Sequence, residues 1–196
     1  MTGYPVLLQV ASADKAASTE FATKLFREDW HPDKHITPYP LRGLVYPIDP
    51  LLKQSAGLGF VEARPDGLAN KVEVIGVLGE RFAPSLQVAV IEMASGKRAS
   101  VAGRTLKIGR QSLLLDDQGR IDCPSITERE PRRYGIDAFL DGSVPVDAVR
   151  NRIVILGYGR SNSPTLPVAG RPMPIHEIFY RQVSCLGRLL EREALH

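Results

Sequence analysis

Arg152-Ile-Val-Ile-Leu-Gly-Tyr-Gly159, with Met173-Pro-Ile-His-Glu-Ile-Phe179 after it, carries the most information about the fold. A short β-branched run breaks on glycines, a polar Pro-rich loop follows, and an amphipathic helix then begins. Apolar content without alternation implies burial on both faces, so residues 153–156 read as an interior strand. A charge placed at Val154 is then expected to cost several kcal/mol. Such a strand delivers its loop to the carboxyl edge of an α/β sheet, where these folds place ligands.

Working outward, residues 5–10 read as a strand, and 11–14 as the cap of a helix with Phe21, Leu25 and Phe26 on one face. Residues 30–50 form a Pro-rich irregular segment in which Pro32, Pro38, Pro40, Pro47 and Pro50 forbid a long helix. A short helix is expected at 51–56. Strands at 57–62 and 71–78, joined by the turn Arg64-Pro-Asp-Gly67, are expected to pair as a hairpin. Residues 81–94 read as a helix with the stripe Phe82, Leu86, Val90 and Met93, stopped at Gly96. Three short strands near 106–108, 112–115 and 120–121 follow, the last two separated by the turn Asp116-Asp-Gln-Gly119. Short helices at 136–141 and 146–149 precede the interior strand, and residues 174–193 form the final helix. The resulting fold class is α/β: a central mixed β-sheet flanked by helices, with hairpins and a long amphipathic C-terminal helix. Residues 1–196 are expected to form one domain with the 30–50 segment inside it.

Composition excludes several functions. A net charge of +3 from 25 basic and 22 acidic residues, all scattered, does not point to nucleic acid. No run of about 18 apolar residues occurs, so no segment spans a membrane. The apolar stretch 6–10 is too short for a signal peptide and lacks a basic segment before it. Cys123 and Cys185 are distant and make no zinc pattern; buried free thiols are the simpler reading, a single disulfide the alternative.

No catalytic constellation emerges. Gly157-Tyr-Gly159 lacks the third glycine of a dinucleotide loop, since position 162 is Asn. Ser161 and Ser163 lie in no Gly-x-Ser-x-Gly elbow. His31 and His35 are interrupted by Pro32 and have no partner at metal spacing. Asp66, Asp116 and Asp117 belong to turns. We therefore expect no catalytic residue, no metal and no cofactor. A small ligand, if bound, is expected between the loop at 158–166 and the start of the last helix. There Tyr158 supplies an aromatic wall, Arg160 an anion partner, Ser161 a hydroxyl, and His176 a polar ring beside free helix amides. The competing reading is a plain surface loop stiffened by Pro164, Pro167, Pro172 and Pro174.

Read in order, four stretches resemble the second class of the CHASE family of extracellular sensory domains. Gly57-Leu-Gly-Phe-Val-Glu-Ala-Arg-Pro-Asp-Gly67 resembles that family's glycine strand and Asp-Gly turn. Phe82-Ala-Pro-Ser-Leu-Gln87 is similar to its helix start, and residues 134–142 to its short helix after a hairpin. Arg150-Asn-Arg-Ile-Val-Ile-Leu-Gly157 resembles its basic turn and following strand, with Pro174-Ile-His176 in place of its Pro-Gly-Val-x-x-His stretch. The chain departs from the pattern in Asp66-Gly-Leu-Ala-Asn70, which lacks an Arg. It departs again in Ser161-Asn-Ser163, where the family has an acid, and in Glu177. The resemblance covers residues 50–190 and corresponds to the later part of such a domain. It implies an extracytoplasmic sensory domain of a bacterial transmembrane receptor such as a cyclase or kinase, with catalysis outside this chain. It further implies a small-molecule ligand, homodimerisation through the parent receptor, and membrane contact only through segments beyond this chain. The alternative is a non-catalytic structural or protein-interaction domain.

Overall fold

The computed structural model describes residues 6–9, 19–41, 55–61, 70–123, 131–157, 165–168 and 171–193. The class is α/β, with several mixed sheets and a long C-terminal helix. Among the described residues the strands divide into five small sheets, two of which combine parallel and antiparallel pairs.

β1 (Val6–Gln9) runs parallel to β4 (Leu58–Val61). α1 (Thr19–Leu25) packs on β4. Two two-residue strands lie within the Pro-rich segment: β2 (His31–Pro32) and β3 (Tyr39–Pro40). The expected turn at 64–67 and most of the expected helix at 51–56 lie outside the described residues.

The expected hairpin between 57–62 and 71–78 does not form. The second stretch splits into β5 (Lys71–Glu73) and β6 (Ile75–Leu78), which belong to different sheets. At the break, Val74 donates its N–H to the Gly119 carbonyl and accepts from Ser85 N–H. β6 instead pairs antiparallel with β7 (Arg81–Pro84) and parallel with β3. The expected helix at 81–94 is therefore shorter. Pro84 pushes the residue before it into extended backbone, and Ser85 caps the helix by accepting from Val88 N–H. α2 (Leu86–Ser95) ends at Gly96, whose φ of 65° is the left-handed stop expected.

β8 (Ala99–Gly103), β9 (Thr105–Ile108) and β10 (Gln111–Leu114) form an antiparallel meander, and β2 adds to it in parallel. The β6–β7, β8–β9 and β9–β10 hairpins each turn on a glycine, at Gly79, Gly103 and Gly109, with φ of 59°, 59° and 65°. A tight hairpin needs positive φ at that place, and glycine adopts it without strain. β11 (Arg120–Asp122) pairs with β5. α3 (Ile136–Leu140) and α4 (Val146–Val149) follow, then a hairpin of β12 (Thr165–Val168) and β13 (Arg171–Pro174) that runs directly into α5 (Ile175–Glu193).

The β12–β13 hairpin went unread because it holds three prolines. Their placement explains why they are tolerated. Pro167 faces Pro172, and Pro174 faces Thr165, two rungs along the ladder. Rungs two apart are of one kind in an antiparallel pair, so all three prolines fit the rungs that need no N–H.

Two cores result. The main one joins α2 and α5 to the meander through Trp30, Val88, Leu106, Ile108, Leu115 and Leu186. A smaller one joins α1 to β4 and β7 through Leu25, Phe26, Leu41, Leu58, Phe60 and Ala83. Gly59 sits where α2 begins. A Cβ there would lie 2.5 Å from the Leu86 Cα and N, so only glycine lets the helix start against β4.

Two further sequence expectations are corrected. Residues 153–156 form no strand, and Ile153, Val154 and Leu156 are 45%, 56% and 83% exposed. No described strand lies beside them to bury their β-branched side chains, so a charge at Val154 should now be nearly neutral. The cysteines are not free thiols: Cys123 and Cys185 form a disulfide with a Cα–Cα distance of 6.0 Å. Docking of the apolar face of α5 against β5 brings Cys185 to the end of β11.

The turn Asp116-Asp-Gln-Gly119 forms as expected, around one carboxylate. Asp116 accepts from the N–H groups of Gln118 and Arg120 and from Lys71 Nζ, at 2.9, 2.9 and 3.0 Å. Partial burial opposes its ionisation, but the hydrogen bonds from Lys71, the two backbone amides and Arg120 Nε prevail, and its pKa falls from 3.8 to about 2. A depressed folded-state pKa stabilises the protein above the unfolded value, and that contribution is lost as pH falls through the folded one. Wild type should therefore lose its advantage over Asp116→Asn as pH falls from about 4 to about 2. Urea unfolding across that range checks this; a constant difference between the two proteins would contradict it.

Candidate functional site

His176 lies in the first turn of α5 and is half-buried. Residue 157, the end of the run singled out in the sequence, packs against it. A Cβ on Gly157 would lie 2.6 Å from His176 Cδ2, so glycine is required for the backbone to meet the ring. One residue on, Glu177 Oε1 accepts from Arg133 Nη2 at 3.0 Å. The first turn of α5 thus holds both ends of the excursion 133–157, one at His176 and one at Glu177.

Gly157 meets the ring of His176, a contact the sequence reading did not name. Tyr158, Arg160 and Ser161 lie outside the described residues. Arg133 and Glu177 were not anticipated as a pair; an acid in a first helical turn is the signal that could have raised them. Glu177 already meets the positive end of the α5 dipole, which works against an anionic ligand beside His176.

The turn is mechanically joined to the core. Gln182, two turns along α5, donates to the Lys71 carbonyl at 2.9 Å and accepts from Gln87 Nε2 of α2 at 2.6 Å. The next turn carries Cys185 and the disulfide. Ile178, Phe179, Val183, Leu186 and Leu190 are buried along the same face. The helix that carries the first turn is thus anchored to β5, β11 and α2.

A separate open groove of about 340 Å³ lies between α1 and the end of α2. Lys24, Arg27, Glu92 and Lys97 line it. Its charge is largely committed to structure. Arg27 Nη2 pairs with Glu92 Oε2 at 2.9 Å, and Glu92 Oε1 accepts from Ala99 N–H at 2.7 Å. This ties α1, α2 and β8 together, and the groove is not the site expected from the sequence. Among the described residues, no three His, Cys, Asp or Glu side chains group as metal ligands. Comparison of the chain with protein-family models, with curated proteins and with solved structures finds no match.

Proposed function

We propose that this chain is an extracytoplasmic sensory domain of a bacterial transmembrane signalling receptor, such as a cyclase or kinase. The observation that carries the reading is the Cys123–Cys185 disulfide, because such bonds form and persist in oxidising compartments outside the cytosol. It agrees with the ordered resemblance to the second CHASE class. The bond also joins α5 to β11, three turns from a first turn that holds His176 against Gly157. A small ligand bound at that turn would bias the position of the whole helix, which is the coupling a sensor requires. Among the described residues, no helix is long and apolar enough to cross a membrane, so an anchor would lie in other segments.

A thermal-shift screen of small polar metabolites against the oxidised protein tests the reading. Hits are expected to raise the melting temperature and to lose their effect in the Arg160→Ala, His176→Ala double variant. Hits that persist in that variant place the site elsewhere. Hydrolysis of an ester, peptide or phosphoester that Ser161→Ala or His176→Ala abolishes would overturn the non-enzymatic reading. The second reading, a protein-interaction domain, is favoured by one observation, the eight large hydrophobic side chains exposed between Tyr134 and Leu156.

A further inference from the structure

The groove between α1 and the end of α2 holds about 340 Å³, enough for a small ligand group. Four basic residues line it, Lys24, Arg27, Lys97 and Arg98, against one acid, Glu92. In a chain whose 25 basic residues are nearly matched by 22 acidic ones, this is a local excess of positive charge. Structural needs do not use it up. Each helix C-terminus carries about half a negative charge, so the ends of α1 and α2 together with Glu92 offset about two of the four cations. Arg98 meets Asp29 only at 3.4 Å, on side chains 67% and 51% exposed, and such a pair is worth little.

The acceptors around the groove are already engaged. Glu92 Oε1 takes the Ala99 N–H, and Oε2 takes Arg27 Nη2. The Glu92 and Met93 carbonyls at the end of α2 accept from the Lys97 and Gly96 N–H groups. The Lys24 carbonyl accepts from Arg27 Nη1. Donors are left over. Arg27 is only 9% exposed, and its buried Nε finds no acceptor in the protein. The ammonium of Lys97 enters no ion pair among the described residues.

We propose that the groove binds a phosphate group, as the free ion or as a monoester. The unused donors select it over other ligands. A cation would meet occupied acceptors and an excess of like charge. A carboxylate is best met by a guanidinium fork, and the fork of Arg27 is taken, Nη1 by the Lys24 carbonyl and Nη2 by Glu92. What remains is an Nε–H and an ammonium group on separate residues, one just beyond α1 and one just beyond α2. A tetrahedral anion with at least three acceptor oxygens meets such donors from several directions, and lysine serves it as a point charge. The site is separate from the start of α5 and does not depend on the sensory reading.

Calorimetric titration of the oxidised protein with inorganic phosphate and with glycerol 3-phosphate, in chloride buffer of constant ionic strength, tests this. Saturable binding of one anion is expected. The double variant Lys24→Gln, Lys97→Gln should weaken it roughly tenfold or more. Lys97→Gln alone, at an exposed position, should weaken it several-fold with the melting temperature of the free protein unchanged, which separates lost binding from a folding defect in the double variant. Lys107→Gln removes an equal charge from β9, outside the groove, and should leave binding as it was. Tighter binding of inorganic phosphate assigns the free ion as the ligand; equal or tighter binding of the monoester assigns an ester. A wild type without saturable binding overturns the proposal, as does binding that the double variant leaves intact. A loss in Lys107→Gln equal to that in Lys97→Gln would show diffuse attraction in place of a site, and would overturn it too. So would binding that survives Lys97→Gln but is lost in the Arg160→Ala, His176→Ala variant, which would move the anion to the start of α5.

Discussion

Replacing Cys123 and Cys185 together by serine is expected to destabilise the protein by about 4 kcal/mol, since the bond closes a loop across a sequence separation of 62 residues. The entropy of an unfolded chain rises with the logarithm of the loop released, so a bond of this span confers much of its effect through the unfolded state. The native state loses something as well, because both cysteines are buried and Cys185 lies on the inner face of α5. Urea unfolding should show a lower midpoint, together with a steeper slope, because the unfolded chain without the link exposes more surface. Wild type in reducing agent should reproduce the shift. If oxidised and reduced wild type unfold at the same midpoint, the cysteines are not joined. The compartment argument for the sensory reading would fall with them.

Trp30→Ala should have an effect of similar size, about 3–5 kcal/mol. Trp30 is the only tryptophan in the chain and is 1% exposed. Its ring is part of the main core, and its Nε1–H donates to the Ala99 carbonyl of β8 at 3.2 Å. Truncation to alanine opens a cavity between the end of α1 and the meander, and leaves a buried carbonyl without its donor. Trp30→Phe separates the two causes. It keeps most of the apolar volume, and should lose about 1–3 kcal/mol for the orphaned carbonyl and the smaller ring. Circular dichroism measures all three proteins. In the wild type, tryptophan emission reports the same transition from a single buried site. A loss below about 1 kcal/mol for Trp30→Ala would mean that the ring is not a core element.

The sequence was most legible where a local rule decided the outcome. Gly96 stops α2, Asp116 nucleates its turn, and the stripe of α5 predicts a helix that begins within one residue of its place. Short-range physics is enough there: a left-handed cap, an acid that accepts from amides two and four residues on, a repeat of apolar side chains. The end of β7 was also open to this reasoning, because Pro84 and Ser85 spell the start of a helix at Leu86. The apolar period through Phe82 outweighed them, although Phe82 lies on a strand.

For the candidate site, the contact of Gly157 with His176 at the start of α5 was not named by the sequence reading, and the loop residues Tyr158, Arg160 and Ser161 lie outside the described residues. The Arg133–Glu177 pair was not legible either, because it joins residues 44 positions apart (177 − 133) through the fold alone. Composition and spacing by themselves determined the α/β class, most helix positions and the turn at Asp116. Partner choice was decided by tertiary structure. Residues 71–78 divide between two sheets, Cys123 finds Cys185, and in the run 153–156 Ile153, Val154 and Leu156 stand exposed while Ile155 packs on the main core. A side chain's apolar character fixes what it would gain by burial; whether another element of the chain lies beside it depends on the path of the whole chain.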